Sequence, residues 1–494
     1  MKIPYTIRVW LKMSCAILIG LALGSSPTKA AEPKEEQPGK ELAPFPVPPV
    51  PAKFRHPGIL NTTEELQAIK ANIQAGKEPW KSCFEILKNS PEGNLNYTPK
   101  PHEKVTSGLL GKGGAEGGAD DLGRDIHAAY AQTLLWIFTG NEKYAENAVK
   151  IFDAWTILKS LEGGNWYLTT AWGGAQFAEA AELLRATYPK WKKENIARFQ
   201  QMLSNTYLPI LHGRKSFGNR EFAVINAMMA IGVFNDDRAA FAEGMNHWVN
   251  YVPNWIYMKE DGQYPTKPVY WKEGYTPSTE ELAKLDEGLF PDVKASWIYS
   301  GEKMLAAMKE KKLGDDTTYC TQYHMKRAWS YAPDGAFVDG LCAETFRDLG
   351  HCDIGFVTLS RAAEIAWHQG IDLYSIHGKR ITAFMELFSF LRIGEPIPKV
   401  FYPVMPTGQA MTFEIGYNHY HNRMGLELPN TKRLVEEYIR PTALKPPLIS
   451  GAWVYWLPEP GIRTNQYALG GNCHWETLMH AEKGGSKVPP KPEK

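Results

Sequence analysis

The chain has 494 residues with a formal net charge of +1, and 44% of its residues are hydrophobic. This length and composition are those of a globular protein with a sizeable core. Because the charge is near zero, the chain has no general electrostatic attraction to nucleic acid or to a membrane surface. An anionic partner would therefore have to be held by local Arg, Lys and His side chains.

The N-terminal segment, residues 1–30, has the pattern of a secretory signal peptide. Three basic residues, Lys2, Arg8 and Lys12, precede the apolar stretch 13–23, and small residues follow it up to Ala30. The apolar stretch is too short to span a bilayer as a helix, so it predicts export without an anchor. No later stretch is long and apolar enough to predict a membrane span. We therefore expect the mature protein in the periplasm or secreted into the medium.

The rest of the chain divides by composition. Proline-rich residues 31–55 follow the signal and predict an extended linker, because proline removes a backbone donor and ends helices. Residues 56–482 contain no comparable break and are expected to form a single domain. The Lys-, Pro- and Gly-rich end, residues 483–494, predicts a disordered tail.

Five cysteines remain after removal of the signal, and they are scattered along the chain: Cys83, Cys320, Cys342, Cys352 and Cys473. Their spacing fits neither a CxxC metal site nor a dense disulfide framework. The favoured interpretation is that they are small buried apolar residues. One disulfide is left open for an oxidising compartment, and the sequence singles out no pair.

The hydrophobic pattern of the domain is helical and paired. A capping box of Thr62 and Glu65 predicts the first helix, which should end at Gly76. Residues 125–139 are apolar nearly all round, and the amphipathic stretch 143–158 follows them across a short turn. Similar stretches recur without a fixed period at 177–184, 196–208, 222–234, 238–251, 294–308, 354–368 and 381–391.

This pattern predicts helical hairpins whose inner helix is more apolar than the outer one. Strand signals are scarce before about residue 395. Because the hairpins lack a fixed repeat length, a closed ring of them is favoured over a solenoid. We therefore predict an all-α fold, an (α/α) toroid forming an incomplete barrel of six to seven hairpins with little β-structure.

Two short segments concentrate polar side chains. In the segment 344–351, four such residues recur at helical spacing and could share one face: Glu344, Arg347, Asp348 and His351. A solvated helix face is the ordinary interpretation, but apolar residues interrupt these charges and glycines flank them, which favours a site. The segment 417–423 is equally dense: Tyr417, Asn418, His419, Tyr420, His421, Asn422 and Arg423. This second segment could form a site, and the alternative interpretation is a hydrogen-bonded aromatic core.

Several motifs in order along the chain resemble the alginate-lyase-like polysaccharide lyases. They are Leu135-Trp136 with Thr139-Gly140, Gly218-Asn219 with Asp236-Asp237-Arg238, Arg347-Asp348-Leu349-Gly350-His351, Gln369-Gly370-Ile371-Asp372-Leu373-Tyr374, and the segment 417–423. The resemblance covers most of residues 55–480. It implies an (α/α) toroid and β-elimination on a uronic-acid polymer. Some family members cut alginate with a Tyr that lies shortly after the Arg motif. That Tyr has no counterpart here, because Cys352, Asp353 and Ile354 follow His351.

The chemistry that the resemblance implies needs cations and a base. The C5 proton of a uronate becomes removable when the neighbouring carboxylate is neutralised, for which Arg347 and His351 are suited. Arg423 is a further donor, and Tyr417 is the expected base and acid, with Tyr420 the next choice. Glu344 and Asp348 are expected to orient the cations, since carboxylates would repel a polyanion.

The expected substrate contacts come from residues that can donate hydrogen bonds or stack on sugars: Asn219, Arg220, His419, His421, Asn418 and Trp172. The helix start after Gly218 could hold an anion on its backbone N–H groups, with a plain N-cap left open. No cofactor is expected, and no metal is required because Arg and His can neutralise the carboxylate.

The sequence thus predicts a lyase for a 1,4-linked uronic-acid polymer such as alginate, polymannuronate or glucuronan. One alternative is an (α/α)-barrel glycoside hydrolase, using Glu344 with Asp348 or Asp125 as its two carboxylates. The other is a non-catalytic glycan-capture protein. The accepted uronate and endo or exo action stay open, and a monomer is the expected form.

Overall fold

The computed structural model describes residues 44–107, 117–163, 166–213, 218–262, 265–266, 337–346, 349–393, 398–401, 413–443 and 473–491. The signal segment, Cys320, Arg347 and Asp348 lie outside these residues. Among the described helices, none is long and apolar enough to cross a membrane.

The described part of the chain is dominated by helices. They are α1 (Thr63–Gln74), α2 (Trp80–Lys88), α3 (Ala119–Thr139), α4 (Glu142–Trp155), α5 (Trp166–Thr187), α6 (Lys193–Met202), α7 (Leu208–Leu211), α8 (Asn219–Asn235), α9 (Arg238–Trp255), α10 (Leu349–His368), α11 (Gly378–Arg392), α12 (Glu414–Tyr417), α13 (Pro429–Arg433), α14 (Arg440–Ala443) and α15 (Cys473–His480). Three π-helical turns interrupt them at Leu203–Tyr207, Asn418–Arg423 and Leu434–Ile439. Three 3₁₀ turns occur at Pro91–Gly93, Lys259–Asp261 and Lys399–Phe401.

The β-structure in the described residues is one two-stranded parallel sheet of β1 (Lys104–Ser107) and β2 (Ser160–Gly163). Its register pairs Lys104 with Ser160 at one end and Ser107 with Gly163 at the other. The prediction of little β-structure is therefore confirmed.

The first helix begins and ends as its sequence predicts. The Glu65 N–H donates to the Thr62 hydroxyl at 3.3 Å, and the Thr62 N–H donates to the Glu65 carboxylate at 2.8 Å. The helix stops where Gly76 adopts a φ of 67°, a left-handed conformation that glycine adopts without strain. The predicted capping box is thus confirmed.

The hairpins have the predicted inner and outer helices. Helix α3 is buried along most of its length, whereas α4 buries one stripe that ends at Trp155. Gly140 ends α3 with a φ of 73°, and the Asn141 side chain accepts from the Lys143 N–H to begin α4. At the turn between α8 and α9 the Asp237 carboxylate caps α9.

The inner helices α3, α5, α8 and α10 pack side by side, and each is followed by an outer helix. A short turn makes the two helices of a hairpin antiparallel, so the inner helices run parallel with their first turns at one end. The described residues contain four such inner and outer pairs, and the prediction of an all-α (α/α) toroid is confirmed. Deep between the helices, Arg361 of α10 is paired with Glu179 of α5 and with Glu476 of α15.

The described end of the proline-rich segment, residues 44–55, packs against the domain. The Phe45 N–H donates to the Asn250 side chain at 2.9 Å, and the Phe54 ring lies 5.0 Å from that of Phe241. Arg238 holds the carbonyl of Pro51 at 3.0 Å. These residues therefore lie across the helices of the domain, an arrangement that an extended proline-rich backbone allows.

The C-terminal end is anchored as well. The Lys483 side chain is 5% exposed and reaches Glu65 at 2.8 Å. The Gly484 N–H donates to the Asn418 side chain at 2.7 Å, and Arg55 donates to the Lys491 carbonyl at 3.1 Å. Residues 483–491 therefore contact the domain, and the disorder of the tail stays a prediction.

Candidate active site

Helix α8 begins with a glycine that lets a carboxylate approach closely. Gly218 has a φ of 63°, and a Cβ placed on it would lie 2.4 Å from the Glu344 carboxylate. Any other residue here would have to displace that carboxylate and adopt a left-handed backbone. The glycine therefore allows Glu344 to reach the first residue of the helix.

Glu344 is fully buried and binds Asn219 twice. One carboxylate oxygen accepts from the Asn219 backbone N–H at 2.7 Å, and the other accepts from its side-chain amide at 3.0 Å. A negative charge at a helix N-terminus is stabilised by the helix dipole and its unpaired N–H groups. The sequence predicted that this helix start could hold a substrate anion. That prediction is wrong for the backbone N–H of Asn219, because Glu344 already occupies it.

The end of α9 forms the wall behind this pair. The Gly218 N–H donates to the Tyr251 hydroxyl at 2.6 Å, and the Trp255 indole N–H lies 3.4 Å from the Glu344 carboxylate. Burial raises the pKa of the Tyr251 phenol well above its usual value, and the nearby Glu221 adds to this. Tyr251 and Trp255 were missed by the sequence analysis, because they lie in a run of apolar and aromatic residues typical of any core helix.

His351 lies on the first turn of α10 and is 8% exposed. Because Glu344 lies five positions before the first residue of this helix and binds the first residue of α8, the structure places His351 and Asn219 at the same end of the parallel inner helices. Arg220, the second residue of α8, is partly exposed at that end. Trp172 is only 2% exposed on α5, so it offers no ring face to a sugar, and its predicted substrate contact is wrong.

Arg423, the last residue of the segment 417–423, lies near the other end of α10. Arg423 forms a bidentate pair with Glu364, at 2.8 and 2.5 Å. From position 351 to position 364 of one α-helix the rise is about 20 Å. The predicted meeting of Arg423 with His351 is therefore wrong, because the guanidinium is bound to the far end of the helix that begins near His351.

Both predicted catalytic tyrosines donate to groups of the protein. The Tyr420 hydroxyl donates to the Tyr374 carbonyl at 3.1 Å, and the Tyr417 hydroxyl donates to Glu436 at 3.1 Å. Burial raises the pKa of each phenol far above its usual value, and the charge of Glu436 raises that of Tyr417 further. A tyrosine must be deprotonated before it can accept a proton as a base, so the donated hydrogen bonds and the raised pKa values of these two phenols argue against the role predicted for them.

Two further members of the segment, Asn418 and His419, are buried. The His419 ring stacks on Tyr374 with centroids 3.7 Å apart, and burial lowers the pKa of its imidazole to about 3. Asn418 binds Gly484, while His421 lies against Tyr417 with its Nδ1 2.9 Å from the Leu426 carbonyl. The substrate contacts predicted for the buried His419 and Asn418 are therefore wrong, and for these two residues the alternative of an aromatic core holds. His421 is partly exposed, and its contact stays a prediction.

Beside Arg423 lies a cluster in which Glu65, Glu364 and His368 offer atoms all within 4.8 Å of one another. Among the described residues these three have the spacing of possible metal ligands. The two carboxylates already pair with cations of the protein: Lys483 pairs with Glu65, and Arg423 pairs with Glu364. Burial alone would raise the pKa of both carboxyls, but the positive charges next to them lower it well below its usual range.

These lowered pKa values predict acid sensitivity. Below about pH 5 the unfolded chain takes up protons that Glu65 and Glu364 refuse in the folded state, so stability falls as the pH falls. We expect Lys483→Met to lower the melting temperature at pH 7 and to make its decline from pH 5 to pH 3 shallower. Lys379→Met, which removes an exposed pair with Glu260, is the control for thermal scans. Parallel curves for wild type and Lys483→Met would contradict the prediction.

The carboxylates proposed for a hydrolase are engaged in the structure. Asp125 accepts from the Tyr97 hydroxyl, the Lys100 N–H and the Trp155 indole, each at 2.7 Å. Glu344 is bound to Asn219. Neither carboxylate is placed as a free acid beside a sugar, and Asp348 lies outside the described residues.

Known proteins resemble this chain in sequence and in fold. Residues 90–267 match the family model described as alginate lyase. The structure of alginate lyase A1-III from Sphingomonas species A1 is similar with 13% identity and a TM-score of 0.48, covering 86% of this chain and 99% of that one. A histidine variant of alginate lyase A1-III complexed with a tetrasaccharide has 14% identity and a TM-score of 0.47, covering 84% and 93%. No curated protein sequence matches the chain.

Proposed function

We propose that the chain is a polysaccharide lyase of the alginate-lyase type, which cleaves a 1,4-linked uronic-acid polymer by β-elimination. The match of residues 90–267 to the alginate lyase family model supports this proposal. The substrate would be an anionic polysaccharide such as alginate, polymannuronate or glucuronan. We further propose that residues 1–30 export the chain, so that it meets this polymer in the periplasm or the medium.

The observation that carries the proposal is the buried Glu344 that fixes Asn219 at the start of α8. An amide nitrogen carries two N–H donors, and Glu344 takes one of them. The other can then donate to the carboxylate of a uronate. Because the buried acid already fixes this donor, the donor loses little conformational entropy when a ligand binds. Donors that are fixed in advance in this way stabilise the charge that develops during a reaction.

In the proposed step, a base takes the C5 proton and the electron pair becomes the C4–C5 double bond. The C4–O4 bond breaks, and the departing oxygen takes up a proton. Asn219 and Arg347 neutralise the carboxylate on C5, and Arg220 binds a neighbouring sugar carboxylate. We assign the removal of the C5 proton to His351, because this imidazole lies at the same end of the inner helices as Asn219 and histidine is a common general base.

The test of the function is the chemical nature of the product. Mature protein should be incubated with polymannuronate, polyguluronate and glucuronan, and both ultraviolet absorbance and new reducing ends should be measured. A lyase produces an unsaturated uronate that absorbs in the ultraviolet, together with one reducing end per cut. Reducing ends without absorbance would identify a hydrolase, and binding without either product would identify a capture protein.

The tyrosine variants separate the proposed base from the earlier candidates. We expect Tyr417→Phe and Tyr420→Phe to keep kcat within about threefold of wild type, because their hydroxyls donate to Glu436 and to the Tyr374 carbonyl, which are groups of the protein itself. Initial rates by ultraviolet absorbance at a temperature where both variants are folded measure this. A loss of 100-fold or more in either folded variant would return the base role to that tyrosine.

A further inference from the structure

Two cysteine side chains lie against each other beside the candidate active site. Cys342 is 1% exposed and Cys352 is fully buried, and their sulfur atoms are 3.2 Å apart. The sequence analysis left one disulfide open without a pair, and the fold brings these two residues together.

The backbone on both sides of this contact is fixed. The Cys342 N–H donates to the Thr345 hydroxyl at 3.1 Å, and the next residue, Ala343, donates to the Trp255 carbonyl at 2.7 Å. Cys352 lies in the first turn of α10, inside regular helical backbone. The close approach of the sulfurs is therefore set by two anchored backbones.

We propose that Cys342 and Cys352 form a disulfide bond in the exported protein. A disulfide is about 2.05 Å long, so the sulfurs must approach by only about 1 Å, which small side-chain rotations can supply. The bond would join residues 10 positions apart and close a ring that contains Glu344 and His351. It would fix the segment carrying Glu344 to the helix carrying His351.

The oxidant is a protein or small-molecule disulfide of an oxidising compartment. The thiolate of one cysteine attacks that disulfide and forms a mixed disulfide, and the thiolate of the other then displaces the carrier. Two electrons pass to the carrier, which leaves as a dithiol or two thiols, and the two cysteine protons balance it. Because both sulfurs are buried in the folded protein, the exchange takes place while the chain folds.

Peptide mapping tests the bond directly. The protein should be exported with its own signal, alkylated without reductant and digested with trypsin. Cleavage after Arg327, Arg347 and Arg361 places the two cysteines in different peptides, residues 328–347 and 348–361. We expect these peptides to be joined, and to separate on reduction. Alkylated Cys342 and Cys352, or a bond from either of them to Cys320 or Cys473, would overturn the proposal.

Thermal scans of variants provide a second test, independent of activity. A disulfide closing a ring of this size should raise the melting temperature by about 2–4 °C in a domain this large. We expect Cys342→Ala, Cys352→Ala and the double variant to lose the same amount, and reductant to lower wild type to their level. Additive losses that reductant does not change would show two packed thiols and refute the bond. Cys83→Ala, at another buried cysteine, is the control.

The consequence for turnover rests on the proposed function. If the ring holds Glu344 in place, reduction should lower kcat of wild type and leave kcat of the double variant unchanged. A joined peptide pair with no lyase product would refute the proposed function and leave the disulfide standing. Lyase product from a protein in which both thiols are alkylated would refute the disulfide and leave the proposed function standing.

Discussion

Replacing Asn219 by Ala is expected to lower kcat about 100- to 1000-fold while the protein stays folded. The side-chain amide is the only part removed, and its backbone N–H still donates to Glu344. The loss should fall mainly on kcat, because the donor acts where charge develops on the uronate carboxylate during proton removal. Initial rates by ultraviolet absorbance over a range of polymer concentrations measure both kcat and KM.

A matched control lies at the other end of the same helix. Asn235 ends α8, and its amide donates to the Gln200 carbonyl and the Ser204 hydroxyl. Asn235→Ala should therefore leave kcat within about twofold of wild type, since it touches no part of the candidate site. If the two alanine variants had equal rates, Asn219 would have no part in the chemistry.

Glu344 should act through Asn219, as a positioning residue. In Glu344→Gln one carboxylate oxygen becomes an NH₂ group. Either the backbone N–H or the side-chain amide of Asn219 then faces a donor where it had an acceptor. We expect a loss of kcat of about 10- to 100-fold, and we expect the double variant with Asn219→Ala to be no slower than Asn219→Ala alone. Full additivity of the two losses would contradict positioning, because residues that act as one unit are not additive.

Local signals predicted the helices, because caps and turns are encoded by residues adjacent in the chain. The capping box at Thr62 and the glycine end at Gly140 need only a few neighbouring positions. The pair of Glu344 with Asn219 joins residues 125 positions apart, and no local pattern records it. The sequence singled out both residues and assigned Glu344 to other partners, because periodicity shows which residues share a face but not what the face meets.

The segment 417–423 shows why residue types alone misplace a site. Tyrosine, histidine and arginine handle protons in active sites, and the same groups satisfy one another in buried cores. The distinguishing fact is that Arg423 binds Glu364, near the end of α10, while His351 lies in its first turn. That position depends on how the later helices pack, which composition does not reveal. Likewise, proline content predicted extended backbone at residues 44–55 without indicating that it packs.

The Arg423 pair predicts the largest change in stability. We expect Arg423→Met to lower the free energy of unfolding by about 3–5 kcal/mol, because it leaves the Glu364 carboxylate buried without its main cation. Denaturant titration at pH 7 measures this loss. At a temperature where the variant is folded, kcat should stay near wild type, since the pair lies at the far end of α10 from His351.

Two further variants decide whether the loss comes from that unpaired charge. Arg433→Met removes an exposed pair with Glu437 and should cost less than about 1 kcal/mol. Adding Glu364→Gln to Arg423→Met should restore part of the stability, because a neutral amide costs less to bury than a carboxylate. A double variant less stable than Arg423→Met would show that Glu364 is held by other cations, Lys483 at 3.7 Å among them. A folded Arg423→Met protein with kcat reduced 100-fold would instead place the guanidinium in the chemistry and overturn its separation from the candidate site.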